Sequence, residues 1–297
     1  MTTRHVFLLF AFSLMVLMLN IDYTALNLAL VTLTHDLNSN LTIMQWVLGG
    51  YMLIWAAIVL PIGRAADHFG QKHFCLIGLA IFTLGSLLAG LANSSTMLIV
   101  ARLLQGISGA FYVPAMYASI FTNYPESRRG LAMGFMSLGV GVGVGVGLGL
   151  GMALGPTFGG AILTLLTLLS WRYIFFVNIP IGIIAFLEIY FIAQKETVKN
   201  NQDFQLNKLS SFLLGLALIS FMSALGGIHQ WGGDTSPVLL LLILFSIILF
   251  VTFLLHQKKD IQPLVPISLF KNNSYSACLI AIILEQFSFT SCIVILA

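Results

Sequence analysis

The chain has 297 residues, of which 59% are hydrophobic and 8% charged, with a formal net charge of +3. A soluble domain carries about 25% charged residues, so this chain has too little charge to coat a water-facing surface, and lipid must cover most of it. Its basic residues form no patch, which argues against nucleic acid as a partner. The three cysteines, Cys75, Cys278 and Cys292, all fall in apolar runs and frame neither a disulfide scaffold nor a metal site.

A bilayer core takes roughly 20 helical residues. In chain order, the apolar runs that fit cover approximately 6–31, 44–63, 73–92, 96–121, 131–157, 172–193, 209–228, 237–256 and 275–297. Only helices and closed barrels satisfy backbone polar groups in lipid, and these runs are too long and too uniformly apolar for barrel strands. The expected fold is therefore all-α and integral to the membrane, with about nine transmembrane helices. The first run follows Arg4 and contains Asp22, so it reads as a retained helix and not a cleaved signal.

The gaps between runs set the orientation. Arg4, Arg64, Lys72, Arg128, Arg129, Lys195, Lys199, Lys208, Lys258, Lys259 and Lys271 occupy one side, and Arg172 the other. The positive-inside rule places the N-terminus and the loops after spans two, four, six and eight in the cytoplasm, and Ala297 outside. Arg102 is the exception, because it lies inside the fourth run, where a charge is expensive and needs a reason.

Arg102 sits about six residues below the outer face, roughly 9 Å, and Asp22 about sixteen residues above the inner face, roughly 24 Å. In a core of about 30 Å both fall in the outer half, where they form either a static ion pair or a shared proton network. Asn20, Thr24 and Asn27 share one helical face and Asp22 lies off it; in lipid that polar stripe must meet another helix or a wet cavity. Glu285, about ten residues into the last span, is a candidate for cations or protons near the bilayer centre.

Span five carries Gly139, Gly143, Gly147, Gly151, Gly155 and Gly159 at four-residue intervals, with Gly141, Gly145 and Gly149 as a second set. Small residues at this spacing let helices approach closely. The 39 residues from Leu131 to Leu169 would reach about 58 Å as one helix, so a break is expected at Pro156. These glycines alternate as GxGxG, never GxGxxG, and no Walker-type Gly-Lys-Ser/Thr occurs, so no nucleotide site is expected. No nucleophile–base pair or metal cluster stands out, which argues against an enzyme.

The stretch after span two reads Gly63-Arg-Ala-Ala-Asp67-His-Phe-Gly70-Gln-Lys72 and resembles the signature loop of the major facilitator superfamily of secondary transporters. Three further stretches agree in order: Leu19 to Leu30 with Asp22, Thr24 and Asn27; Arg102-Leu-Leu-Gln105-Gly106-Ile-Ser-Gly109; and Gly155-Pro156-Thr-Phe-Gly159-Gly160, followed by Ser170-Trp171-Arg172. The pattern departs at His68 and Gln71, where Arg is usual, at Ala65, where Leu is usual, and at Met152, where a second Gly-Pro pair is common. With two additional spans, the chain looks like the fourteen-helix drug:proton antiporter branch.

That resemblance implies a six-helix half over 1–193, a cytoplasmic linker over 194–208, two additional helices over 209–256, a second linker over 257–274, and over 275–297 the first helix of an incomplete C-terminal half. It implies proton-coupled export of drug-like amphipathic compounds across the inner (plasma) membrane by alternating access. The proton gradient is then the energy source, with no cofactor. Small-molecule substrate, protons and the bilayer are the partners, and a periplasmic adaptor is left open. Asp22, Arg102 and Glu285 become proton-coupling candidates. Gly63, Asp67, Gly70 and Lys72 become a gating loop, its glycines at tight turns and Asp67 capping a helix or pairing with a base. Asn20, Thr24, Asn27, Gln105, Gly106, Gly155, Pro156, Gly159 and Gly160 become substrate-contact or packing residues. The chain stops one span into the second half, so it reads as a truncated member; a non-transporting remnant and an importer are the alternatives.

Overall fold

The computed structural model of the chain describes residues 3–154, 170–193, 207–226, 236–260 and 263–296. Gly155, Pro156, Gly159 and Gly160, and with them the break expected at Pro156, lie outside these residues. The chain divides into two compact units, Met1–Phe204 and Gln205–Ala297. Among the described residues, eight helices are long and apolar enough to cross a membrane.

In the first unit, α1 (Thr3–Leu28) is followed across Ala29 by the short α2 (Leu30–Asp36). Asn40 then caps α3 (Leu41–Phe69), its side-chain oxygen accepting from Ile43 N at 2.8 Å. After α4 (Gln71–Gly90), Ser94 caps α5 (Ser95–Asn123) in the same way, accepting from Met97 N at 3.2 Å. Such caps satisfy donors that a helix start leaves orphaned. The unit is completed by α6 (Glu126–Leu154), α7 (Arg172–Phe176) and α8 (Asn178–Ile192).

The stretch read as a loop after span two is not one. Helix α3 continues through Arg64, Asp67 and His68 to Phe69, because none of these residues breaks a helix. The turn into α4 is Gly70 alone, at φ 103°, with its N–H donating to Ala66 O at 3.0 Å. A residue with a Cβ adopts that φ only with strain, so the requirement for glycine is local and specific. Gly63 makes no turn: it lies inside α3, where an added Cβ would stand 3.3 Å from Pro114 Cβ on α5.

Helix α5 packs against both α3 and α4, α1 packs along α6, and α8 bridges α1 and α4. One buried cluster gathers Phe12, Met15, Phe82, Tyr112 and Met116, and another Leu26, Val47, Leu98, Trp171 and Phe175. Missing side chains set the closest approaches. A Cβ on Gly106 would lie 2.5 Å from Tyr51 O, which fixes the α3–α5 distance. On α6, Cβ atoms at Gly139, Gly143 and Gly147 would lie 2.6 Å from Ser13 O, 2.6 Å from Leu17 O and 2.9 Å from Thr24 Cβ. The second set, Gly141, Gly145 and Gly149, meets open space. The two sets therefore serve different faces of α6, and only the first builds the α1–α6 seam.

Cations close the helix ends. Arg4 Nε donates to Ile192 O at 2.8 Å, and Lys72 Nζ donates to Tyr190 O at 2.8 Å and to Ala193 O. Both satisfy carbonyls at the C-terminus of α8, where the helix dipole favours positive charge. Nearby, Tyr124 donates from its hydroxyl to His5 O at 2.6 Å. Burial pushes that phenol up to about 12, against a lowering by Arg4, so it keeps its proton and its bond at neutral pH. At the opposite end, Trp171 Nε1 donates to Asp36 Oδ2 at 3.0 Å and Arg172 Nη2 to Ala92 O at 2.9 Å, with the Arg172 guanidinium 4.5 Å above the Trp171 ring.

The second unit holds α9 (Lys208–Gly226), α10 (Pro237–Lys259), a 3₁₀ turn (Ile267–Lys271) and α11 (Asn273–Leu296). Helices α9 and α10 pair through Leu214 and Phe253 and through Ser246 Oγ, which donates to Ala217 O at 2.9 Å. Asn207 with Asp260, and Ser210 with His256, tie their ends together.

Because the two glycine sets face different surroundings, Gly143→Val and Gly145→Val should separate. The first overpacks the α1–α6 seam, at a cost of about 1–3 kcal/mol, and should lower the thermal midpoint of the detergent-solubilised protein. The second should leave it unchanged, and equal midpoints would rule out the seam.

Candidate functional site: a buried ion pair and its polar shell

Arg102 lies one turn before the Gly106 contact on α5, and its side chain reaches α1 and α3. It is fully buried, as are Asp22 on α1, Ser86 on α4, Gln105 on α5 and Asn178 on α8. The guanidinium ion-pairs with Asp22: Nη1 donates to Asp22 Oδ2 and, at 2.8 Å, to Gln105 Oε1. Arg102 Nε donates to Val47 O at 3.2 Å, and the guanidinium stands 4.4 Å from the centre of the Tyr51 ring. Gln105, three residues on along the same helix, passes the network outward by donating from Nε2 to Ser86 Oγ at 2.9 Å. Asp22 Oδ1 accepts from Asn178 Nδ2 at 3.4 Å.

An isolated charge in such surroundings is prohibitive, and a paired one is tolerated when hydrogen bonds occupy its remaining lone pairs and protons. Here both carboxylate oxygens are engaged, and the Arg102 side chain meets a carboxylate, an amide, a backbone carbonyl and an aromatic face. Four buried atoms nearby have no partner among the described residues: Arg102 Nη2, Asn178 Oδ1, Thr24 Oγ1 and Tyr112 OH. The cluster is thus neutral overall but not saturated. Chemically it holds a carboxyl group in contact with a guanidinium, which has donors only.

The structure brings together Asp22, Arg102 and Gln105, with Gly106 setting the distance to α3. The polar stripe of α1 does not join them. Asn20 donates to Val16 O at 2.8 Å and Asn27 to Tyr23 O at 2.7 Å, within their own helix, and Thr24 is buried against Gly147. Asp67 is exposed on the last turn of α3, with no salt bridge among the described residues, while Lys72 reaches α8. Glu285 is exposed on α11, in the second unit. Among the described residues, no group of three or more His, Cys, Asp or Glu side chains is placed to hold a metal.

Sequence reasoning missed Tyr51, Ser86 and Asn178. Asn178 was legible as a polar residue early in an otherwise apolar run. Ser86 and Tyr51 carry no such signal, since both are ordinary in a membrane helix.

An apolar groove of about 310 Å³ runs between the N-terminal half of α1 and α6, lined by Leu9, Phe10, Leu17, Phe135, Leu138 and Val142 among others.

Comparison with known proteins places this geometry. The sequence profile of the Major Facilitator Superfamily matches residues 10–295. The methylenomycin A resistance protein of Bacillus subtilis (strain 168) is 32% identical over 262 residues, 88% of this chain and 53% of that protein. The tetracenomycin C resistance and export protein of Streptomyces glaucescens is 28% identical, over 95% of this chain and 50% of its own length. The riboflavin transporter of Clostridioides difficile (strain 630) is 30% identical, over 88% and 53%. The chain thus spans about half the length of the curated relatives it matches. A bacterial homologue of the human lysosomal transporter Spinster, solved inward-facing and occupied, shares the fold with a TM-score of 0.53 at 20% identity, over 89% of this chain and 64% of that one.

The ion pair makes an asymmetric stability prediction. Asp22→Leu strands a guanidinium that cannot shed its proton and should cost about 3–5 kcal/mol. Arg102→Leu leaves an acid that can neutralise itself and should cost less, and the double variant should regain most of the loss. Thermal unfolding of the purified protein in detergent measures all three; an Asp22→Leu variant as stable as wild type would refute the dependence.

Proposed function

The chain belongs to the Major Facilitator Superfamily, and on that premise we propose that it works as a proton-coupled exporter of drug-like amphipathic compounds. In this reading it lies in the inner (plasma) membrane with its N-terminus in the cytoplasm. Residues 1–193 form one transporter half, 209–256 two additional helices and 275–297 the start of the other half, with 194–208 and 257–274 as cytoplasmic linkers. Alternating access exposes the space between halves to one side at a time, the usual arrangement for midplane sites.

The observation that carries the reading is the buried Asp22–Arg102 pair. An acid kept within an apolar bundle, already paired with the one cation that cannot lose its charge, is suited to binding and releasing a single proton. Gln105 and Ser86 extend the pair towards α4. The lipophilic part of the substrate is supported by the apolar groove between α1 and α6, which has room for a hydrocarbon fragment and offers no charge of its own. Export of antibiotics fits the resistance proteins among the relatives. The acidic Glu285 and the α3–α4 turn with Asp67, Gly70 and Lys72 are proposed as a second proton-linked residue and as a gating element.

A second reading, uptake of a nutrient, draws on the relative named for riboflavin transport. Direction decides between them. Cells producing the chain should hold less of a fluorescent cationic dye than control cells, and an uncoupler should erase the difference. Asp22→Asn should lose the energised efflux while still reaching the membrane. Dye accumulation above the control would favour uptake, and efflux by Asp22→Asn at the wild-type rate would remove Asp22 from the coupling step. Orientation is tested separately in a cysteine-free background. A single cysteine at Asp67 should react with an impermeant maleimide only in everted vesicles, and one at Asn93 only in intact cells; the reverse pattern would invert the topology.

A further inference from the structure

Among the described residues, Asn178 is the one hydrogen-bond partner of the Asp22 carboxylate that has both a donor and an acceptor at the end of its side chain. Its Nδ2 donates to Asp22 Oδ1 at 3.4 Å, and its own Oδ1 is buried without a partner. The residue is fully buried and begins α8, the helix that bridges α1 and α4. An orphaned buried acceptor is costly, and in a folded protein it calls for an explanation.

We propose that Asn178 is a positioning residue that hydrogen-bonds Asp22 in both of its protonation states, by turning its amide end over. With Asp22 ionised, the amide N–H points at the carboxylate, as the structure shows. When Asp22 takes one proton from a hydronium ion, leaving water, an O–H bond forms on Oδ1 and an acceptor is needed in place of a donor. A half-turn of the Asn178 amide about its last torsion supplies its carbonyl oxygen. The amide's oxygen and nitrogen ends have almost the same shape, so the surrounding packing is unchanged. No heavy-atom bond is made or broken, and no further reactant is involved.

The other groups around Asp22 do not offer this. Arg102 from α5 bonds the opposite oxygen and has donors only. Tyr51 from α3 has its ring committed to the guanidinium, and the Tyr112 hydroxyl on α5 makes no hydrogen bond among the described residues. Helix α6 presents glycines to α1, with Gly147 against Ile21 and Thr24. Ser86 from α4 reaches the pair only through Gln105.

This inference rests on the proposal that Asp22 carries the coupled proton, and infrared difference spectroscopy tests the two apart. Acid-minus-neutral spectra of the purified full chain should show a carboxylic C=O band that is absent from Asp22→Asn. With asparagine labelled by ¹³C at the side-chain carbonyl, the wild-type protein should show an amide band that shifts to lower wavenumber together with it. That amide response should vanish in both Asp22→Asn and Asn178→Leu, and in Asn178→Leu the Asp22 band should move to the higher wavenumber of a free acid. If no Asp22 band appears, the coupling proposal fails and this one with it. If the band appears and the labelled asparagine signal stays silent in wild type, only the role of Asn178 is overturned. The labelled wild-type measurement decides even where Asn178→Leu does not fold.

Discussion

A guanidinium that cannot be neutralised, placed inside an apolar bundle, dictates much of this unit's interior. Arg102 has to meet negative charge and oxygen acceptors without water, so α1 must present Asp22, α3 must expose the Val47 carbonyl, and α5 must itself supply Gln105. These demands fix the relative depth and rotation of three helices. Gly106 sits one turn along α5, where only a residue without a Cβ lets α3 come close enough for the Val47 bond and the Tyr51 ring contact.

The remaining helices follow from that arrangement and from small-residue packing. Helix α6 lies along α1 because Gly139, Gly143 and Gly147 bring its backbone onto Ser13, Leu17 and Thr24. Helix α8 is held at its C-terminus by Arg4 and Lys72, whose cationic heads meet carbonyls the helix leaves open. Basic residues that read from the sequence as markers of orientation thus also serve as helix caps.

Much of the fold was legible because lipid enforces a simple rule: a long apolar run must become a helix. That rule located the spans, but it placed their ends poorly. Arg64, Asp67 and His68 looked like loop because they are polar, whereas a helix leaving the bilayer has no reason to stop until a residue such as Gly70 turns it. The site was half legible. A charge in an apolar run announces itself, so Arg102 and Asp22 stood out, and their matching depths followed from counting residues. Tyr51 and Ser86 owe their roles to helix rotation, which the mean hydropathy of a run does not encode. The stripe of Asn20, Thr24 and Asn27 has the opposite lesson: Asn20 and Asn27 spend their hydrogen bonds on their own helix, and Thr24 is packing surface against a glycine.

The neutrality of the Asp22–Arg102 pair has an electrical corollary. As an ion pair it carries no net charge, but with a proton on Asp22 the same spot holds a full positive charge within the dielectric of the membrane. A unit charge crossing the entire field exchanges about 2.3 kcal/mol per 100 mV, and a charge part-way across feels a proportionate share. Under the proton-coupled function proposed above, loading the acid would then be a voltage-dependent event as well as a chemical one.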